Sequence, residues 1–347
     1  MNDGAYAYLI QQLTCANGHT VWFAEESCTD YLPLLAAYKD RLLLVTQRVD
    51  SYQRACALKI PVVINDAIWP RDETLFTNCV IRIAKEKPWV HHLINQARLH
   101  LPPGGRLYLA GHKQEGIKTY ADKAATLFNS NQKAQKIAEF YAITLTQSSE
   151  NNSELLPCEN YAEYRPVLTL QEKPIVSKPG IYGWNKIDQG SQLLVDTLLN
   201  EELSTVNSCL DLGCGYGFLT LASGHLPLGL RTCTDNNSTA LTACERNCRA
   251  WDISAKVILA DCAEGIDEDF DLVLCNPPFH QGFSVENQLT TKFLSAAARR
   301  LNPHGVAYFV VNQFIPLERK AADFFYRCEK ISANGQFKVL RLSLPKH

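Results

Sequence analysis

Residues 208–222 read SCLDLGCGYGFLTLA, and this stretch decides the fold. Ser208 to Leu212 is short and apolar enough for a buried strand, three glycines follow at 213, 215 and 217, and a helix resumes from Phe218. Strand, glycine loop, helix is the opening of an α/β unit. The glycines let the backbone turn tightly and come close to a ligand, with helix N–H groups facing it.

Working outward, the pattern repeats. A helix is predicted over Ser191 to Leu199, a second strand over Leu230 to Thr234, and a helix over Ser238 to Ala250 with Ser238 at its N-cap. Strands follow at Lys256 to Leu259 and Phe270 to Cys275, then a helix over Thr290 to Leu301, a strand over Val306 to Val311, and a closing hairpin strand over Gln336 to Leu344. Alternating strands and helices imply a doubly wound, mostly parallel sheet with right-handed crossovers, here finished by an antiparallel hairpin. TQSSENNSELLP, residues 146–157, is polar and ends in proline, so it separates two domains, 1–157 and 158–347, and YRPVLTLQEKPIV beyond it reads as a short extended lead-in.

The first half echoes the second. From Val80, VIRIAKEKPWVHHLINQARLHLPPGGRLYLAGHKQEGIKTYADKAATLF gives strand, proline turn, helix, Pro/Gly turn, strand and charged helix. LVLCNPPF followed by KFLSAAARRLNPHGVAYFVVNQFIPLERKAADFF gives the same order. An internal duplication is expected. The first copy has no glycine-rich loop before residue 100, and Lys85-Glu86-Lys87-Pro88 stands where the second has Asn-Pro-Pro, so it is expected to keep the fold without the chemistry.

The composition excludes other classes. With 347 residues, 46% hydrophobic and 20% charged, the chain is globular and has room for two cores. No apolar run approaches the roughly 18 residues of a membrane span, and MNDGAYAYLIQQL is no signal peptide, so a soluble cytoplasmic protein is expected. The 13 cysteines are odd in number, dispersed and free of CxxC pairs, as for reduced, buried thiols. Cys244 and Cys248 share a helix face, but no neighbouring His or Cys pair completes a four-ligand set, so no metal is expected. Net charge is −2, yet residues 81–140 carry ten Lys and Arg against four acids and residues 291–347 ten against three. Such segregation gives an electrostatic footprint for RNA on a mildly acidic chain, or equally two solvated helix faces.

Asp235, ending the second strand, is placed to accept hydrogen bonds from two ribose hydroxyls, and Asp261, ending the third, to meet an adenine edge. The loop runs GxGxG, shorter than a dinucleotide fingerprint, which favours S-adenosylmethionine. Asn276-Pro277-Pro278-Phe279 follows the fourth strand at the edge where open α/β sheets bind ligands. An exocyclic amino group on a base is a poor nucleophile because its lone pair is delocalised into the ring. The Asn276 side-chain oxygen and a proline carbonyl can accept both its N–H bonds and steer the lone pair, while Phe279 can stack on the base for about 1–3 kcal/mol.

DLGCGYG, Asp235 and NPPF make the chain resemble class I S-adenosylmethionine-dependent methyltransferases acting on amino groups. It is closer still to the ribosomal RNA guanine-N2 methyltransferases with tandem methyltransferase-like domains, in particular the small-subunit members. PGIYGWNKIDQGSQLLVDTL, LDLGCGYGFLT, CNPPFHQG and VNQFIPLERK with GQFKVLRL follow that family's order over residues 179–347. The first half matches in layout only.

The resemblance implies two tandem Rossmann-like class I methyltransferase domains. The N-terminal one is a degenerate copy that helps bind RNA. It implies methyl transfer to N2 of a guanine in 16S rRNA of the 30S subunit, leaving S-adenosylhomocysteine, by a monomer. Carried over residue by residue, Gly213, Gly215 and Gly217 line the cofactor, with Asp211 toward its methionine end, Asp235 its ribose and Asp261 its adenine. Asp188, Gly190 and Ser191 belong to a segment capping it, while Asn276, Pro277 and Phe279 hold guanine. His280 could contact RNA or relay a proton, although no general base is obligatory. A 23S rRNA guanine-N2 methyltransferase and a protein-glutamine N5 methyltransferase use the same Asn-Pro-Pro logic, and an RNA-binding ribosome-assembly protein would keep the fold without turnover.

Overall fold

In the computed structural model, which describes residues 3–71, 74–149, 154–203, 205–278 and 283–346 (backbone alone for 283–288), the chain divides between Glu163 and Tyr164 into two units. The division falls a few residues beyond the expected boundary because Tyr161 is fully buried in the first core, its hydroxyl shared with Gln47 and Asp66.

The first unit comprises α1 (Gly4–Cys15), β1 (His19–Phe23), α2 (Leu32–Leu35), β2 (Leu42–Thr46), α3 (Val49–Ala57), β3 (Val62–Ile64), β4 (Phe76–Arg82), α4 (Lys87–His100), β5 (Arg106–His112), α5 (Ile117–Leu127), β6 (Gln135–Ile137) and β7 (Phe140–Thr146). The second comprises β8 (Arg165–Leu170), β9 (Lys173–Ser177), α6 (Gln189–Leu198), β10 (Ser208–Leu212), α7 (Phe218–Ala222), β11 (Leu230–Asp235), α8 (Ser238–Ala250), β12 (Lys256–Leu259), β13 (Phe270–Cys275), α9 (Phe283–Arg300), β14 (Leu301–Asn312), α10 (Leu317–Ala321), β15 (Phe325–Ala333) and β16 (Phe337–Pro345).

Each unit holds a seven-stranded sheet, ordered β3-β2-β1-β4-β5-β7-β6 in the first and β12-β11-β10-β13-β14-β16-β15 in the second. The two orders are the same, strand for strand. Within each, the pairs are parallel up to β5 and β14, and the last two strands close an antiparallel hairpin. The central strands are apolar on both faces, as a sheet covered by helices on both sides requires, with Leu210, Leu272, Leu274, Phe309 and Val310 fully buried.

In both sheets the chain turns to opposite sides of its first strand, between β10 and β13 in the second unit and between β1 and β4 in the first. That leaves a crevice beyond the carboxyl ends of those strands. In the first unit no glycine follows β1; Ala24, Glu25 and Glu26 lead straight into a 3-10 helix, Glu26–Tyr31, capped by Glu25. There Gln47, just past β2, is tied to Asp66 at 2.7 Å. The duplicated frame therefore lacks the loop geometry of its partner copy.

Several boundaries differ from the sequence reading for local reasons. Asn237, not Ser238, caps α8, accepting from the backbone of Thr239 and Ala240. Helix α6 begins at Gln189 because Asp188 caps it through the Ser191 N–H. The lead-in after residue 163 is a two-stranded hairpin, β8–β9, made possible by left-handed Gln171 and Glu172 at its turn. Helix α9 starts earlier than expected, at Phe283. Among the described residues no helix is long and apolar enough to cross a membrane.

Candidate active site

The glycine loop of the second unit is pinned from below. The Gly213 and Cys214 N–H groups both donate to the Thr234 carbonyl (2.9 and 2.8 Å), and fully buried Asn247 of α8 donates to the Tyr216 carbonyl at 2.9 Å. All three glycines have positive φ: 79° at Gly213, 56° at Gly215 and 91° at Gly217. Space confirms the need at two of them, since a Cβ would meet the Phe293 ring at 3.1 Å from Gly213 and the Cys244 sulfur at 2.9 Å from Gly217. Gly215 is different. A Cβ there meets nothing within 4 Å, so this is the point where the loop backbone lies open to a ligand.

Asp235 stands beside it at the end of β11, taking the Gly215 N–H at 2.9 Å on one oxygen and the Asn237 N–H at 2.8 Å on the other. Asp261 follows β12 and pairs with Lys292 of α9; the Ala260 N–H donates to the Asp235 carbonyl, so the two acids occupy adjoining strand ends. Asp211 is turned inward, contrary to a simple cleft-lining role. It is 1% exposed, one oxygen accepts from the backbone N–H and hydroxyl of Thr220 at 3.0 and 2.7 Å, and the other has no partner among the described residues. The Thr220 N–H at the start of α7 thus faces Asp211, and burial pushes the Asp211 carboxyl up to about 8.

Asn276 leaves β13 half-buried, and its amide nitrogen donates to the Asp188 carboxylate and to the Ser191 hydroxyl, both at 2.8 Å. An ionised carboxylate only accepts, so the nitrogen must face Asp188, and Oδ1 is the acceptor this side chain has left to offer. The same Asp188 oxygen takes the Ser191 N–H at 2.9 Å. Gly190 lets this corner close, because a Cβ there would meet Asp188 and the Phe337 ring at 3.0 Å. Asp188, Gly190 and Ser191, expected to cap the cofactor, are thereby built into the support of Asn276. Pro277 is buried and Pro278 exposed; Phe279, His280 and the Gln281-Gly282 pair lie outside the described residues.

Asp235 and Asp261, at adjoining strand ends, stand next to the open Gly215. This pair of acceptors fits the ribose hydroxyls and adenine amino group of a nucleoside such as S-adenosylmethionine. Sequence reasoning missed Thr220, just past the glycine loop, and Asn247 and Lys292, on helices distant from the motifs; only the fold shows what they hold.

The profile of the methyltransferase small domain matches residues 172–341, and that of the methyltransferase small domain N-terminal family matches residues 8–152. Ribosomal RNA small subunit methyltransferase C of Shewanella amazonensis is 29% identical over 275 residues, covering 78% of both chains. The protein of the same name from Shewanella piezotolerans is 27% identical over 266 residues, covering 76% of both. Among solved structures, the T. thermophilus 16S rRNA N2 methyltransferase, in complex with AdoMet and guanosine, superposes with a TM-score of 0.82 at 21% identity, covering 99% of this chain and 92% of its own. That likeness shows the same fold among the described residues.

Proposed function

The chain belongs to the methyltransferase small domain family through both of its halves, and from that premise we propose that it methylates N2 of a guanine in 16S rRNA, using S-adenosylmethionine. The observation that carries the reading is the Asn276 amide, whose two donors are taken by Asp188 and Ser191. A side chain locked in this way presents an acceptor, and an amino group with a delocalised lone pair needs acceptors. Asn276 Oδ1 and the Pro277 carbonyl take the two N–H bonds of the guanine amino group, holding it so that the lone pair points toward the cofactor. Bound S-adenosylmethionine supplies an electrophilic methyl group. Gly215, Asp235 and Asp261 hold its ribose and adenine end, and Asp211, with an unpaired oxygen, lies behind the loop on the methionine side. The alkylated nitrogen is acidic and sheds its proton to solvent, so no general base is required of the chain.

The names of the Shewanella relatives support ribosomal RNA of the small subunit as the substrate; action in the cytoplasm and as a monomer is part of the proposal. The first unit, with the fold and no glycine loop, contributes RNA affinity. Labelled methyl transfer to unmodified small subunits, large subunits, naked ribosomal RNA and release factor, with nucleoside mass analysis and Asn276→Ala as control, tests this. N2-methylguanosine on the small subunit alone is expected. Label on the large subunit keeps the chemistry and changes the substrate, label on release factor moves the target to protein, and no label on any substrate overturns the enzyme reading.

A further inference from the structure

Four cysteines that are far apart or on different elements in sequence meet under the glycine loop. Cys214 comes from the loop itself, Cys233 from β11, and Cys244 and Cys248 from one face of α8, all buried. The sulfurs of Cys233, Cys244 and Cys248 lie within 4.8 Å of one another. The Cys214 thiol belongs to the same buried cluster and donates to the Gly215 carbonyl at 3.6 Å, and the Thr220 hydroxyl stands 3.1 Å from the Cys233 sulfur. Aliphatic side chains surround the group, Leu241, Ile253, Val257 and Leu259 among them, yet the sulfurs face each other instead of dispersing among these.

We propose that Cys214, Cys233, Cys244 and Cys248 form a closed binding site for one thiophilic d10 cation of the zinc class. Tetrahedral thiolate coordination at about 2.3 Å places sulfurs roughly 3.8 Å apart. The observed spread of the Cys233–Cys244–Cys248 group closes to that by about an ångström, which small χ1 rotations supply, and Cys214, which lies outside that group, completes the set by turning its thiol from the Gly215 carbonyl toward them. Each ligand gives up its thiol proton to solvent on binding, and neither the metal nor the sulfur changes oxidation state. With all four positions taken by the protein, the ion has no open site for water or substrate, so its role is structural. It fastens the loop residue between Gly213 and Gly215 to the strand that carries Asp235 and to the helix behind both. The site adds to the methyl-transfer reading and does not depend on it.

The full chain, purified without chelator in a phosphine reductant, is analysed for metal by mass spectrometry, then stripped and titrated with Co2+. About one zinc per chain is expected, with a sulfur-to-cobalt charge-transfer band and the d–d bands of a tetrahedral site. Cys233→Ser and Cys248→Ser should each bind metal at least about tenfold more weakly against a chromophoric chelator. Should either variant misfold, native wild-type protein still reports, because chelator alone should then speed thiol reaction with Ellman's reagent. Metal-free protein with no cobalt band, equal reaction rates with and without chelator, unchanged metal affinity in both variants, or a mass showing a disulfide among these cysteines would each overturn the site.

Discussion

The Asn276 amide nitrogen donates to the Asp188 carboxylate at 2.8 Å, joining the residue after β13 to the N-cap of α6 across 88 positions of sequence. This hydrogen bond sets which end of the amide is free. Asn276→Ala removes the acceptor, so kcat should fall about 10²–10³-fold with cofactor affinity nearly unchanged. Asp188→Asn keeps a good helix cap but allows the Asn276 amide to turn over, and should cost about tenfold in kcat with little change in melting temperature. Steady-state kinetics beside calorimetric cofactor binding separate the two readouts; an equal loss of cofactor affinity would assign Asn276 to that subsite instead.

Asp235 holds the Gly215 N–H, and the proposed function also gives it the ribose hydroxyls of bound cofactor. Loss of charge-assisted hydrogen bonds worth about 1.5–3 kcal/mol each predicts at least about 10²-fold weaker S-adenosylmethionine binding for Asp235→Ala. Calorimetry with S-adenosylhomocysteine reads the same step without turnover. Affinity within a few-fold of wild type would remove Asp235 from the cofactor site.

The strand-loop-helix order and the acid at a strand end were legible because each signal is local: Gly213, Gly215 and Gly217 state their own backbone geometry, and Asp235, ending β11, and Asn276, directly after β13, mark the carboxyl edge of the sheet. The Asn276–Asp188–Ser191 cluster was not, since it joins segments that only the sheet order brings together. The cysteines teach the same lesson: Cys244 and Cys248 are paired by helical spacing, but Cys214 and Cys233 join them only through the packing of α8 on β11. Charge counting failed in another way. Arg82 and Arg98, two of the bases of the first basic segment, are 4% and 2% exposed; Arg82 is clamped by Asp3 and Glu115, and Arg98 bonds the Leu127 carbonyl.

Lysines in that segment survive the correction and acquire a shared location. Lys85 and Lys87 follow β4, Lys113 and Lys118 follow its parallel neighbour β5, and all four are exposed at the carboxyl edge of the first sheet. Their replacement by Ala should weaken RNA binding and reduce the slope of log affinity against log salt by about 0.7 for each phosphate that is no longer neutralised. Filter binding to 16S rRNA fragments across a salt series measures it, and an unchanged slope would return these lysines to an ordinary solvated face.

Asp211 makes folding stability depend on pH in an unusual direction for a carboxyl. Its ordinary value is 3.8, and burial lifts it to about 8 in the folded chain. Between those values the folded protein keeps a proton that the unfolded chain has lost. The contribution is therefore complete below the unfolded value, declines as pH rises through the window, and is gone above about 8. Asp211→Asn presents an oxygen to the Thr220 N–H and hydroxyl and carries no charge, so it should flatten this slope. Above the folded value it should be more stable than wild type by on the order of 2 kcal/mol, because it avoids burying a carboxylate with an unpaired oxygen. Urea unfolding of both proteins from pH 5 to 9 tests the sign, and parallel pH curves for the two would show that Asp211 is already ionised in the fold at neutral pH.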